Sequence, residues 1–224
     1  MEIYNTGETR DEYFQTQIKR SRTKFHYCKV SYFHVKKWKG IIEKREQITG
    51  PILCLGTRNC REVDMFRTVF NSGRLLNFLV KSFEINRAGY NSIFPVFESF
   101  RRSSIQKITE NSIVGVEINP DAKRQDVLIG TFDELPEEWE NLFGLIYSNS
   151  FDQSQEPHKT AKEWLRVLKN DSIIILGFSE DDPNATDPVG KLSYKDFVDL
   201  FPGELLFFQK SSSRYHDVII KIKK

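Results

Sequence analysis

Four short segments end in residues suited to gripping a small polar ligand. The run Ile52-Leu53-Cys54-Leu55 reads as a buried strand, and Gly56-Thr57-Arg58-Asn59 reads as the turn that follows it. A glycine at that point lets the backbone turn tightly and approach a ligand, and the N–H groups opening the next helix favour a carboxylate or phosphate. The second segment, Val116-Glu117-Ile118-Asn119-Pro120, sets a carboxylate at the carboxyl end of a strand, where open α/β sheets bind their ligands. Such a group can accept hydrogen bonds from both hydroxyls of a ribose. The third and fourth segments, Gly130 to Pro136 and Tyr147 to Asp152, bring polar residues to the same edge. A purely structural turn at Gly56 and a surface glutamate at 117 explain either segment about as well when it is taken alone. The dinucleotide fingerprint would need glycine at positions 58 and 61, and Arg58 and Arg61 stand there, which disfavours a nicotinamide or flavin enzyme.

The elements that must position these residues follow from periodicity. Residues 9–22 and Tyr32 to Lys44 read as two N-terminal helices, and Gly50-Pro51 punctuates the chain before the first buried strand. Val63, Phe66, Val69 and Phe70 then recur at helical spacing, and residues 71–110 read as an insertion with helical pieces at Leu75 to Ile85 and Ile93 to Ile108. Strands are predicted at Ile113 to Ile118, Asp126 to Phe132, Leu145 to Ser148 and Ile173 to Phe178, with a helix at Pro157 to Leu168. Alternation of this kind marks a parallel sheet. The ending differs: a helix at Tyr194 to Phe201 precedes strands at Glu204 to Gln209 and Tyr215 to Ile222, joined by a turn so short that they must be antiparallel. The expected fold class is α/β, a Rossmann-like, mostly parallel sheet of seven strands with an antiparallel C-terminal pair and helices on both faces. Residues 1–48 form a helical extension and 49–224 the main domain. The acidic stretch Ser179 to Gly190 is long enough to serve as an active-site loop.

Composition narrows the function classes. The chain of 224 residues is 39% hydrophobic and 29% charged, with 18 Phe, which excludes disordered and collagen-like chains. No apolar run approaches the ~20 residues of a membrane-spanning helix, and the N-terminus lacks a secretory pattern, so a cytoplasmic protein is expected. Cys28, Cys54 and Cys60 are odd in number and lack zinc spacing, so they read as reduced thiols and no zinc site is expected; a metal on Asp152 with Asp181 or Asp182 stays open, since carboxylates without a ligand spacing are nonspecific. The net charge of +2 hides a basic first half: residues 1–50 carry 11 Lys or Arg against 6 Asp or Glu, whereas 111–160 carry 3 against 10. A basic half can attract phosphates, which keeps nucleic-acid binding open as an alternative, though an ordinary solvated surface explains it better.

From about residue 50 to the C-terminus, the order of these pieces resembles the class I S-adenosylmethionine (SAM)-dependent methyltransferases. The segment Phe143 to Ser150, followed by Lys162 to Asn170 and a strand, is the most similar part. The resemblance implies SAM as cofactor. Its methionine end would lie on the loop containing Gly56, Thr57, Arg58 and Asn59, its ribose on Glu117 beside Ile118, and its adenine on Thr131, Phe132 and Asp133. Asn149 and Ser150 would face the transferred methyl. The family's glycine-rich loop and its leading acidic residue are reduced here to Cys54, Gly56, Arg58 and Cys60, and Thr131 stands where an Asp is common. For a hydroxyl acceptor a base is needed, and Asp152, His158 and the acidic trio Glu180, Asp181 and Asp182 are the candidates, Asp152 first. The loop style around Tyr147 to Asp152 is similar to that of small-molecule and glycan-modifying members, which implies O-methylation of a sugar or another small hydroxyl compound. A non-catalytic methyltransferase-like binding module is the competing reading. Residues 1–48, 71–110 and 179–190 are expected to cover the acceptor, with Tyr32, Trp38 and Tyr90 stacking on it and Lys36, Lys37 and Arg87 holding a phosphate.

Overall fold

The computed structural model describes residues 1–71, 103–210 and 215–224. In chain order the elements are β1 (Glu2–Ile3), α1 (Arg10–Thr23), α2 (Tyr32–Ile42), β2 (Ile52–Leu55), α3 (Arg61–Asn71), β3 (Ile113–Glu117), β4 (Val127–Ile129) and β5 (Phe143–Ser148), then α4 (Pro157–Val167), β6 (Leu168–Ser179), β7 (Val189–Gly190), α5 (Tyr194–Leu200), β8 (Gly203–Lys210) and β9 (Tyr215–Ile222). Seven strands form one sheet in the order β4-β3-β2-β5-β6-β9-β8. The first five are parallel, and β9 runs antiparallel to both β6 and β8.

Two-residue alternation decides which face each side chain enters. Ile52 and Cys54 of β2 join the core beneath α2 and α3, with Val35, Trp38, Val63, Phe66 and Tyr147. Leu53 and Leu55 point the other way, into a core built with Trp164 of α4 and Phe197 of α5. Both faces of the central strands are therefore dry, as continuous apolar runs require. The chain builds outward from β2 to β4 and then returns to place β5 on the far side of β2. The switch point therefore lies between the carboxyl ends of β2 and β5, where such sheets leave a crevice.

A buried ion network fixes α3 against β3 and β4. Arg67, only 1% exposed, donates to Asp126 and to Asp64 (3.0 Å), and Arg124 donates to the same two carboxylates at 2.7 to 2.9 Å. Burial alone would raise the Asp126 carboxyl, but hydrogen bonds from Arg124 and the charges of both arginines hold it below the usual range.

The structure departs from the sequence expectations at several places. Of the 71–110 insertion, residues 72–102, with Tyr90 and Arg87, lie outside the described residues, and 103–108 form a turn closed by a Ser104–Lys107 bridge where the end of a helix was expected. The strand predicted over 126–132 is paired only at Val127–Ile129, because Gly130 already turns away after its N–H bonds to the Glu117 carbonyl (3.0 Å). The β1–β7 ribbon, which ties the N-terminus to the end of the acidic loop, was not expected. Trp38 is 2% exposed and packs on Phe66 and Tyr147, so it and the buried Tyr32 are core residues and not acceptor surface. Lys37 lies over Phe207 on β8 and reaches Gln209.

Candidate active site

The turn after β2 can take only glycine at position 56. Its φ is +69°, and a Cβ there would lie 2.6 Å from Ser150 Cβ and Oγ. This close approach presses the β2 loop against the β5 loop. Ser150 Oγ donates to the Gly56 carbonyl (3.3 Å), and Ser148 Oγ to that of Leu55 (3.1 Å). Thr57 is buried beneath the turn with its hydroxyl on Cys60 Sγ (3.8 Å), and Asn59 reaches back to the carbonyl of Phe25 (2.6 Å). Those two residues shape the loop and do not line the crevice, whereas Gly56 and Arg58 do.

Glu117 ends β3 at the crevice and is 3% exposed. Its carboxylate accepts from the Arg58 N–H (2.6 Å), the Asn119 N–H (3.2 Å) and the Ser21 hydroxyl (2.9 Å). Burial raises its pKa, and those three donors oppose the rise. Ser21 comes from α1, whose buried residues are Tyr13, Gln17 and Ser21. These are polar groups four residues apart, so they share one face. They meet a polar cavity in place of a core. Tyr13 Oη donates to the Gln153 carbonyl (2.9 Å), Gln17 to that of Thr186 (2.7 Å), and Arg20 holds Asp187 and the Thr186 carbonyl. Helix α1 is thus clasped to the acidic loop across the mouth of the crevice.

Two cavities meet at Arg20, Gly56, Arg58, Ser150 and Gln153. The first, a narrow cavity of about 40 Å³, is walled by α1, Glu117, Ile118, Thr131, Phe132 and Asp133. Thr131 Oγ1 is buried there with no hydrogen-bond partner among the described residues. Phe132 is fixed by the Trp164 indole N–H on its carbonyl (2.9 Å), and burial raises Asp133 against the Thr160 hydroxyl that bonds it. A buried carboxylate, an unpartnered hydroxyl and an aromatic face on one wall suit a nucleoside.

The second cavity, about 390 Å³, is lined by Lys24, Tyr27, Lys29, Glu62, Asn149, Asp152 and Tyr215 besides the shared residues. Asp152 is placed by its neighbour: Phe151 is buried edge-on against Trp164, Phe197 and Phe201, which leaves the next side chain at the cavity wall. Asp152 Oδ1 is buried with no hydrogen-bond partner among the described residues. Burial and then Asp187 push its pKa up, while Lys29 and Arg20 pull it back. Glu62, in the first turn of α3, is pushed up to about 7, mainly by burial, and its Oε2 also lacks a partner among the described residues.

Sequence reasoning placed Gly56, Arg58, Glu117, Ile118, Thr131, Phe132, Asp133, Asn149, Ser150 and Asp152 at one edge, and the structure brings them together. His158 stands exposed in the first turn of α4 and lines neither cavity. Glu180 and Asp182 pair with Lys210 and Lys191, and the trio 180–182 lies outside both cavities. A covering role for residues 1–48 is part of the sequence reading, but the residues that provide it, Tyr13, Gln17, Arg20 and Ser21 of α1 and Lys29, are not, nor are Glu62 and Tyr215. Among the described residues no group of three His, Cys, Asp or Glu side chains is arranged to hold a metal, and no helix is long and apolar enough to cross a membrane.

No protein-family model matches the sequence, and no curated protein matches it. Solved structures do. The Burkholderia thailandensis 1,6-didemethyltoxoflavin-N1-methyltransferase, determined with 1,6-didemethyltoxoflavin and S-adenosylhomocysteine bound, matches with a TM-score of 0.55 at 10% identity, over 97% of this chain and 92% of its own. A Thermotoga maritima SAM-dependent methyltransferase, described as a possible histamine N-methyltransferase, matches with a TM-score of 0.51 at 12% identity, over 95% of this chain and 99% of its own. At such identities the likeness is one of fold: the chain has the fold of SAM-dependent methyltransferases.

Proposed function

We propose that this chain transfers the methyl group of SAM to the hydroxyl of a small acceptor, a sugar or another hydroxyl compound. The observation that carries this reading is the junction of the two cavities at Gly56 and Ser150. On one side the wall matches a nucleoside, and on the other Asp152 presents a buried, unpartnered oxygen.

Glu117 would receive one ribose hydroxyl on the carboxylate lone pair that its three donors leave open, and a second in place of the Ser21 hydroxyl. Thr131 would take a hydrogen bond from or to the base, and Phe132 would cover it. The glycine at 56 lets the β2 loop pack directly on Ser150, at the point where the ligand would pass from the first cavity into the second. When bound, SAM supplies an electrophilic methyl group: the acceptor oxygen's lone pair forms the new bond to carbon as the S–C bond breaks, and that pair stays on sulfur. The protein's share is alignment and removal of the hydroxyl proton. Asp152 is the group placed to take that proton, and its raised pKa brings it closer to the working pH than an exposed aspartate.

The test is methyl transfer from labelled SAM into a panel of sugars and phenols, with Asp152→Asn alongside. The reading expects a methylated product whose formation falls at least about a hundredfold in the variant, the usual size of a general-base effect, with SAM binding retained. Full turnover by Asp152→Asn removes Asp152 as base. Failure of any panel member to be methylated by a protein that binds SAM favours the non-catalytic binding module.

A further inference from the structure

The second cavity carries more positive charge than a neutral hydroxyl acceptor needs. Four cations line it: Arg20, Lys24, Lys29 and Arg58. Arg20 is committed to Asp187 and the Thr186 carbonyl. Lys24, Lys29 and Arg58 are ion-paired to nothing among the described residues. The pKa of Lys24 is lowered first by the charge of Arg20, then by burial and by Arg58, so these cations repel one another across the cavity. Burial lowers Lys29 as well, with Asp152, Asp217 and Asp181 opposing.

Lys29 is the most constrained of the three. Its ammonium stands 3.6 Å from the centroid of the Tyr215 ring, at the start of β9. It also lies 3.8 Å from the point where a Cβ on Gly177 of β6 would be, so the missing side chain at 177 gives it room over the carboxyl end of that strand. Arg58 is held in the same manner, with its guanidinium 5.7 Å over the Tyr27 ring. Tyr27 and Tyr215 are 50% and 43% exposed, so the cavity presents two aromatic surfaces, each carrying a cation. Aromatic surface favours a flat ligand, and a partly desolvated ammonium beside it favours an anion.

Given the methyltransferase reading above, on which this rests, we propose that the acceptor is a planar organic anion, a hydroxyaryl carboxylate or phosphate ester, whose charge is received by Lys29 and whose hydroxyl gives up its proton to Asp152. Glu62 and Asp152 are the groups that would instead attract a cationic acceptor, and the test includes that arm.

The probes are 4-hydroxybenzoate, 4-hydroxyphenyl phosphate, the neutral 4-hydroxybenzamide and the cationic 4-hydroxybenzylamine, titrated calorimetrically into the whole protein with and without S-adenosylhomocysteine. At least one anion should bind about tenfold more tightly than the amide, the order expected of a single charge-assisted hydrogen bond. The stronger of the two anions identifies the headgroup. Lys29→Met should erase that preference while leaving S-adenosylhomocysteine affinity unchanged. Tyr215→Leu, a second variant should Lys29→Met not fold, should weaken anions and amide alike. The proposal is overturned if the amide or amine binds as tightly as the anions, if the preference survives Lys29→Met, if no anion binds at millimolar concentration, or if Lys29→Met weakens S-adenosylhomocysteine binding. Absence of S-adenosylhomocysteine binding by the unmodified protein sinks the methyltransferase reading instead, and the titrations without it still report on the anion preference.

Discussion

Replacing Glu117 by glutamine tests the ribose assignment and separates it from a structural role. In the parent protein the carboxylate accepts from two backbone N–H groups and one hydroxyl, all in a buried setting. Glutamine keeps the shape but turns one of the two oxygens into an amide that cannot accept. Whichever way it faces, at least one of the three donors loses its acceptor, at a cost of about 1–3 kcal/mol. For a chain of this size each kcal/mol lowers the melting temperature by about 2–4 °C, so a fall of roughly 2–12 °C is expected. Ligand binding adds a separate loss. A ribose hydroxyl bonded to a neutral amide in place of a carboxylate should forfeit roughly 1–1.5 kcal/mol, the difference between a charge-assisted and a neutral hydrogen bond, or about fivefold to tenfold in the SAM dissociation constant. Calorimetry with SAM below the variant's melting temperature reads the second effect without the first. A lowered melting temperature with an unchanged dissociation constant would refute the assignment and leave Glu117 as a purely structural carboxylate.

Three further outcomes follow from the same geometry. Ser21→Ala removes the hydroxyl that now occupies one Glu117 oxygen, so SAM affinity should hold or rise; an affinity loss in calorimetry would show that Ser21 itself grips the ligand. Glu62, raised to about 7 from an ordinary value near 4.5, binds a proton more readily folded than unfolded, so its contribution makes stability fall as pH rises through that window, by up to about 3 kcal/mol. Urea midpoints at pH 5 and pH 8 should therefore lie closer together, or further in favour of pH 8, in Glu62→Gln than in the parent, and an identical difference in both proteins contradicts this. Asp126→Asn leaves the buried Arg67 guanidinium with less countercharge and should cost about 3–5 kcal/mol in urea unfolding, whereas a loss below about 1 kcal/mol would show that the network does not hold α3 in place.

The strand ends were legible because the sheet announces itself locally. Ile52 to Leu55 and Ile113 to Val116 are apolar runs that only a two-sided core explains, and Gly56 and Glu117 interrupt them where the chain leaves the sheet. That residues 1–48 cover the site was legible, but which residues of α1 do so was not. Tyr13, Gln17 and Ser21 repeat every four residues, yet polar groups at helical spacing read as a wet face, and only the fold shows that this face closes a polar cavity. A stripe of hydrogen-bonding residues with small or amphipathic side chains, distinct from the lysine and glutamate of a solvated face, was the available signal. Trp38 misled in the opposite sense: Tyr32, Val35, Trp38 and Ile42 form an ordinary core stripe, and the interspersed lysines made it look like a ligand surface. Lys29, Glu62 and Tyr215 meet through tertiary contacts between segments 33 to 186 residues apart, which no local pattern encodes.

The central claim, that the crevice between β2 and β5 binds SAM, is tested most directly by titrating SAM and S-adenosylhomocysteine into the unmodified protein while following heat and melting temperature. The expected result is saturable binding at one site per chain, with stability rising by about 2.7 kcal/mol when ligand reaches a hundredfold excess over its dissociation constant. No heat and no melting shift at millimolar SAM, from a sample that unfolds cooperatively, would contradict it.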